Sequence, residues 1–116
     1  MNTARRTPVN PMLAERMAAR AEEAADLLKA LSNPQRLRVM CLLIEGERTV
    51  GEINAEVDLS QSALSQHLAV LREGGLVQTR KEAQNVYYSV ADGPVHQLIQ
   101  TLHDIYCPAV DSDGIC

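Results

Sequence analysis

Ser60-Gln61-Ser62-Ala63-Leu64-Ser65-Gln66-His67-Leu68-Ala69-Val70-Leu71-Arg72-Glu73-Gly74-Gly75 is the stretch on which the fold turns. Ser60 offers a hydroxyl to the free amides of a first helical turn, and Leu64, Leu68 and Leu71 recur at the spacing of one buried helical face. Gln61, Ser62, Ser65, Gln66 and Arg72 fall on the opposite face, and Gly74-Gly75 ends the helix. An apolar back with a front of hydroxyls and amides suits a helix that reaches base edges, where glutamine pairs bidentately with adenine. His67 lies on the same helix, suited to a phosphate contact or to packing.

Upstream, Thr49-Val50-Gly51-Glu52 fits a capping box that opens a short helix at Val50, ending near Asp58 with Leu59 and Ser60 as the turn. Ser32-Asn33-Pro34 stops one helix and starts another. That second helix runs to about Glu45, and its Leu37, Val39, Met40, Cys41, Leu42, Leu43 and Ile44 are apolar almost all round, so it is expected in the centre of the domain with Cys41 indoors. The first helix, Met12 to Leu31, carries Leu13, Met17, Ala21, Ala24, Leu28 and Leu31 on one stripe, suited to packing within the chain or across a dimer seam.

Downstream, Leu76 to Arg80 and Val86 to Val90 are β-prone runs separated by the polar Lys81-Glu82-Ala83-Gln84-Asn85, which predicts a hairpin. Asp92 is expected to cap a last helix with Pro94 in its first turn and Val95, Leu98, Ile99, Leu102, Ile105 and Tyr106 on one stripe. Pro108 stops it, leaving Cys107 at the end. The expected fold is mostly α with a small β-hairpin: a winged helix-turn-helix of five helices, the wing between the fourth and the fifth. Arg72, Arg80 and Lys81 are the candidate phosphate contacts, with Arg36 and Arg38 weaker ones.

Composition bounds the function. The 116 residues suit one domain, placed at 12–107, with 1–11 read as a disordered arm and 108–116 as a flexible tail. A net charge of -4 argues against a protein that coats nucleic acid nonspecifically and leaves room for local basic patches. No apolar run suits a membrane span or a signal peptide, so no membrane partner and a cytoplasmic location are expected. Cys41, Cys107 and Cys116 are too few and scattered for a secreted disulfide framework, and act as thiols, ligands or redox centres. Without a Cys-x-x-Cys, a Gly-rich phosphate loop or a His/Asp arrangement around a nucleophile, no enzyme activity, catalytic residue or cofactor is assigned.

Leu31-Ser32-Asn33-Pro34-Gln35-Arg36-Leu37, Ser60 to Leu68, Gly75-Leu76-Val77 and Val86-Tyr87-Tyr88-Ser89-Val90 together resemble the ArsR/SmtB family of winged helix-turn-helix repressors, over about residues 15–107. The resemblance implies a homodimer held by the first and last helices, bound to an inverted-repeat operator in double-stranded DNA. Metalloid sensors of that family carry a Cys-x-Cys in the third helix, and Glu52 to Asp58 has no cysteine. Asp92, His96, His103 and Asp104 depart from the family's zinc spacing, and no metal site is assigned.

Cys41 in the second helix and Cys107 at the end of the last resemble the persulfide-responsive, BigR/SqrR-like branch of the family. That implies a reactive sulfur species as inducer, acting through a disulfide or polysulfide link between Cys41 and Cys107. Arg38 and His103, each one turn before one of these cysteines, are expected to favour thiolates. The alternative left open is a metal- or metalloid-responsive repressor using Cys41 and Cys107, with Cys116 or histidines as further ligands.

Overall fold

A computed structural model describes residues 10–107 and shows five helices and a three-stranded antiparallel sheet. Helix α1 (Pro11–Leu31) starts inside the segment read as an arm. Asn10 accepts the Leu13 amide at 2.9 Å and Pro11 takes the first position, where its missing N–H costs nothing. The remainder of that arm, 1–9, and the tail 108–116 lie outside the described residues. Of the α1 stripe, only Leu31 is buried by its own chain. Leu13, Met17 and Leu28 stay 45%, 56% and 56% exposed.

Helix α2 (Pro34–Ile44) is capped by Asn33, which accepts the amides of Gln35 and Arg36. Val39, Met40, Leu42 and Leu43 are buried, and the helix packs on α1, on α4 (Gln61–Glu73), on strand β3 (Asn85–Val90) and above all on α5 (Pro94–Tyr106). The apolar pattern all round the helix thus has its expected consequence. Cys41, expected indoors, is only half-buried.

The capping box is present in full: the Glu52 amide donates to Thr49 Oγ1 at 3.2 Å and the Thr49 amide to Glu52 Oε1 at 2.8 Å, opening α3 (Val50–Glu56). Thr49 also ends a two-residue strand, β1 (Arg48–Thr49), which pairs with β3 and which the sequence pattern does not announce. The extended backbone of an N-cap, here φ -78 and ψ 164, serves a strand equally well. Asn54 Nδ2 donates to the Leu59 carbonyl at 2.8 Å and braces the turn into α4.

Ser60 accepts the Ala63 amide at 3.1 Å at the start of α4, and Leu64, Leu68 and Leu71 are buried as their spacing requires. At the other end Gly75 adopts φ 74, and the Gly75 and Leu76 amides return to the carbonyls of Arg72 and Leu71. This is the paired closure that glycine allows without strain. It aims the chain directly into strand β2 (Val77–Glu82).

Two expectations downstream need correction. The hairpin turn is Ala83-Gln84, because β2 and β3 pair from Val77↔Val90 to Glu82↔Asn85. The polar run 81–85 had concealed two more rungs, and Ala83 bears the left-handed φ of 57 that the tight turn demands. Asp92 does not cap α5: the N-cap is Gly93, φ 102, with no side-chain cap bond.

Leu64 is fully buried behind the exposed face of α4. Leu64→Ala should lower the unfolding free energy by about 3 kcal/mol, the middle of the range for a buried leucine truncation. Urea denaturation at fixed protein concentration measures it.

Candidate nucleic-acid interface and thiol site

The outer face of α4 presents Gln61, Ser62, Ser65 and Gln66 to solvent, one helix-width from the buried leucines. His67 is half-buried at the edge of that face, and Arg72 is exposed in the last turn. Arg72 and Lys81 make no ion pair among the described residues. Both are therefore available to phosphate oxygens.

Arg80 is different. Its guanidinium donates to Glu47 at 2.5 and 3.2 Å, lies 3.4 Å from Glu82 and covers the Tyr87 ring at 4.7 Å from the centroid. Arg80 and Tyr87 are directly paired across the hairpin. These bonds hold the Glu47 carboxyl below its ordinary range and the guanidinium firmly charged, the hydrogen bond being the leading cause for both. Since the Glu47 pKa is depressed, the tie is whole above the usual carboxylate range and is lost as acid protonates Glu47. The tie pins the wing to the segment before β1. Sequence reasoning missed Glu47 and Tyr87 because a five-residue loop shifts the register by one and sets Arg80 opposite Val86. Arg36, a weaker candidate, is likewise committed, donating through Nε to the Ala30 carbonyl at 2.5 Å near the end of α1.

Cys41 lies on α2, and Cys107 closes α5, the helix packed most extensively against α2. Cys41 is a free thiol on α2, while Cys107, the C-cap of α5, is disulfide-bonded. The two are therefore not joined to each other in this structure, and Cys116 lies outside the described residues. Burial first, and the negative charge of Glu45 second, push the Cys41 thiol up.

The expectation that Arg38 favours a Cys41 thiolate is thus corrected. Arg38 is exposed and donates to Gln35 Oε1 at 3.3 Å, leaving Glu45, one turn on, as the charge that acts on the sulfur. His103, one turn before Cys107, reaches across to Glu45: Nε2 to Oε2 is 2.9 Å. His96 and Asp92 are exposed, and among the described residues no three His, Cys, Asp or Glu side chains are grouped to hold a metal ion. No described helix is long and apolar enough to cross a membrane.

Residues 33–79 match the family described as bacterial regulatory protein, arsR family. The transcriptional activator HlyU of Vibrio cholerae is 48% identical over 99 residues, which are 85% of this chain and 92% of that protein. The crystal structure of the transcriptional repressor BigR of Xylella fastidiosa matches with a TM-score of 0.77 and 43% identity, covering 82% of this chain and 94% of that one. A homodimeric winged helix-turn-helix DNA-binding domain from Mycobacterium bovis, of a possible ArsR-family regulator, matches with a TM-score of 0.68 at 34% identity, over 78% and 83% of the two chains.

Glu47→Gln should weaken the hold on Arg80 and free it for a phosphate. Against a duplex of the protein's own promoter, the slope of log affinity on log salt should steepen by about one. Fluorescence anisotropy over a salt series reads the slope, and an unchanged value would mean that Arg80 stays off the DNA.

Proposed function

The chain belongs to the ArsR family of bacterial regulatory proteins, and from that premise we propose that it is a dimeric repressor which leaves an inverted-repeat operator when reactive sulfur joins Cys41 to Cys107. The DNA half of the reading is supported by the solvent-facing amides and hydroxyls of Gln61, Ser62, Ser65 and Gln66, flanked by Arg72 and Lys81. The dimer half is supported by Leu13, Met17 and Leu28 on α1, with Ile105 and Tyr106 on α5, all exposed apolar side chains on the first and last helices. One copy leaves them in water. A second copy would cover them.

A single observation carries the signal: Cys41 is a half-buried free thiol on the helix that packs most closely against α5, whose last turn closes at Cys107. A thiolate that attacks the outer sulfur of a persulfide, RS–SH, becomes Cys–S–SH and expels RS⁻. Attack of a second cysteine thiolate on the inner sulfur then expels HS⁻ and leaves a disulfide. A second persulfide attacking in its place leaves one extra sulfur in the bridge. From its disulfide-bonded state, Cys107 enters this chemistry after reduction, or by exchange in which the Cys41 thiolate displaces the other sulfur of the existing bond.

Either product ties α2 to α5. In the dimer this shifts the seam and so the separation of the two α4 faces, which must match half-sites about 34 Å apart. Reduced protein should bind its operator, and a persulfide donor should weaken binding at least about ten-fold, a change of about 1.4 kcal/mol. Cys41→Ser and Cys107→Ser should each abolish the response, and intact mass should show the crosslink in the parent chain. Unmodified thiols with unchanged affinity would overturn the reading, and release by cadmium, arsenite or zinc alone would replace it with the metal-responsive alternative.

A further inference from the structure

His103 and Glu45 meet between α5 and α2, the Glu45 backbone closing α2 while its side chain reaches His103. The His103 side chain is 19% exposed, and its Nδ1 is buried without a hydrogen-bond partner, 3.7 Å from Asp104 Oδ1. A half-satisfied ring in a helix seam costs stability that an apolar side chain would not. Glu45 stands one turn after Cys41, where side chains share a helical face, and His103 stands one turn before Cys107. The contact that joins the helices is therefore one turn from each cysteine.

We propose that Glu45 and His103 form a positioning pair that holds a carboxylate beside Cys41 and sets how fast this sulfur reacts with electrophiles. Its role in signalling rests on the reading of Cys41 as the sensing residue. The thiolate is the reacting species, and a fixed carboxylate opposes a second negative charge nearby. His103 Nε2, 2.9 Å from Glu45 Oε2, fixes where that carboxylate stands.

The other ionisable groups do not share this position. Arg38 turns to Gln35, and Asp104 approaches the opposite ring nitrogen of His103. Tyr87 and Tyr88 on β3, Lys29 on α1 and His67 on α4 belong to elements packed on α2, and only Glu45 adds a charge effect to burial at Cys41. His103 must then act on Cys41 through the place it gives the Glu45 carboxylate, which a side chain that can still donate would preserve.

In the full chain, Cys107→Ser with Cys116→Ser leaves Cys41 as the one thiol. Its alkylation by iodoacetamide, followed by intact mass from about pH 6 to about pH 10, spans the titration of a cysteine. Glu45→Gln should move the midpoint of the rate profile down and speed alkylation at neutral pH about three- to ten-fold. His103→Leu, which cannot hold the carboxylate in place, should move it the same way by a smaller amount, and His103→Gln, which can still donate to Glu45, should stay near the parent. Glu45→Asp, which keeps the charge, should stay near the parent. A midpoint that does not move in Glu45→Gln, or that His103→Gln moves as far as His103→Leu, overturns the proposal. DNA release by a persulfide donor that survives Cys41→Ser would instead overturn the sensing reading and leave the pair's effect on the thiol in place.

Discussion

Helix α2 has almost no face to give to water, and the other elements are arranged around that constraint. With Val39, Met40, Leu42 and Leu43 buried, it draws α1, α4, α5 and β3 against it. Each such side chain contributes about 1.5–3 kcal/mol on leaving water. Helix α4 and the wing are thus mounted on one apolar post, and a displacement of α2 reaches both. Cys41 sits where the enclosure is incomplete, so a small soft side chain on the post remains half-open to reagents.

Much of this was legible in the chain because it is local. Ser60, Asn33 and the Thr49–Glu52 box write their helix starts within three residues, and the leucine spacing of α4 fixes which side faces out. The outward set Gln61, Ser62, Ser65 and Gln66 follows from the same arithmetic. What was not legible is set by tertiary pairing. A two-residue strand such as β1 shows no alternation to read, and the hairpin register depends on Ala83 accepting a left-handed backbone in place of glycine.

The thiol site shows the same division. The positions of Cys41 and Cys107 on their helices follow from sequence, whereas the charges that act on Cys41 do not. Arg38 is as close along the chain as Glu45, yet it turns toward Gln35 and solvent. His103 is 58 residues from Glu45 and meets it only because α5 folds back along α2. In a chain with few aromatics and many interchangeable aliphatic side chains, such polar contacts are what pin one helix against another at a defined rotation.

The exposed stripe of α1 has a consequence for dose. Twenty-one residues of helix with one buried side chain gain little packing from their own chain, and such packing is where most helical stability in proteins comes from. On the dimer reading, α1 is ordered by company, so the reading head is assembled by mass action and its stability rises with protomer concentration. A repressor that limits its own synthesis would then be setting, through the same number of molecules, how much of itself is fit to bind. Genetic dosage and structural order would be one variable.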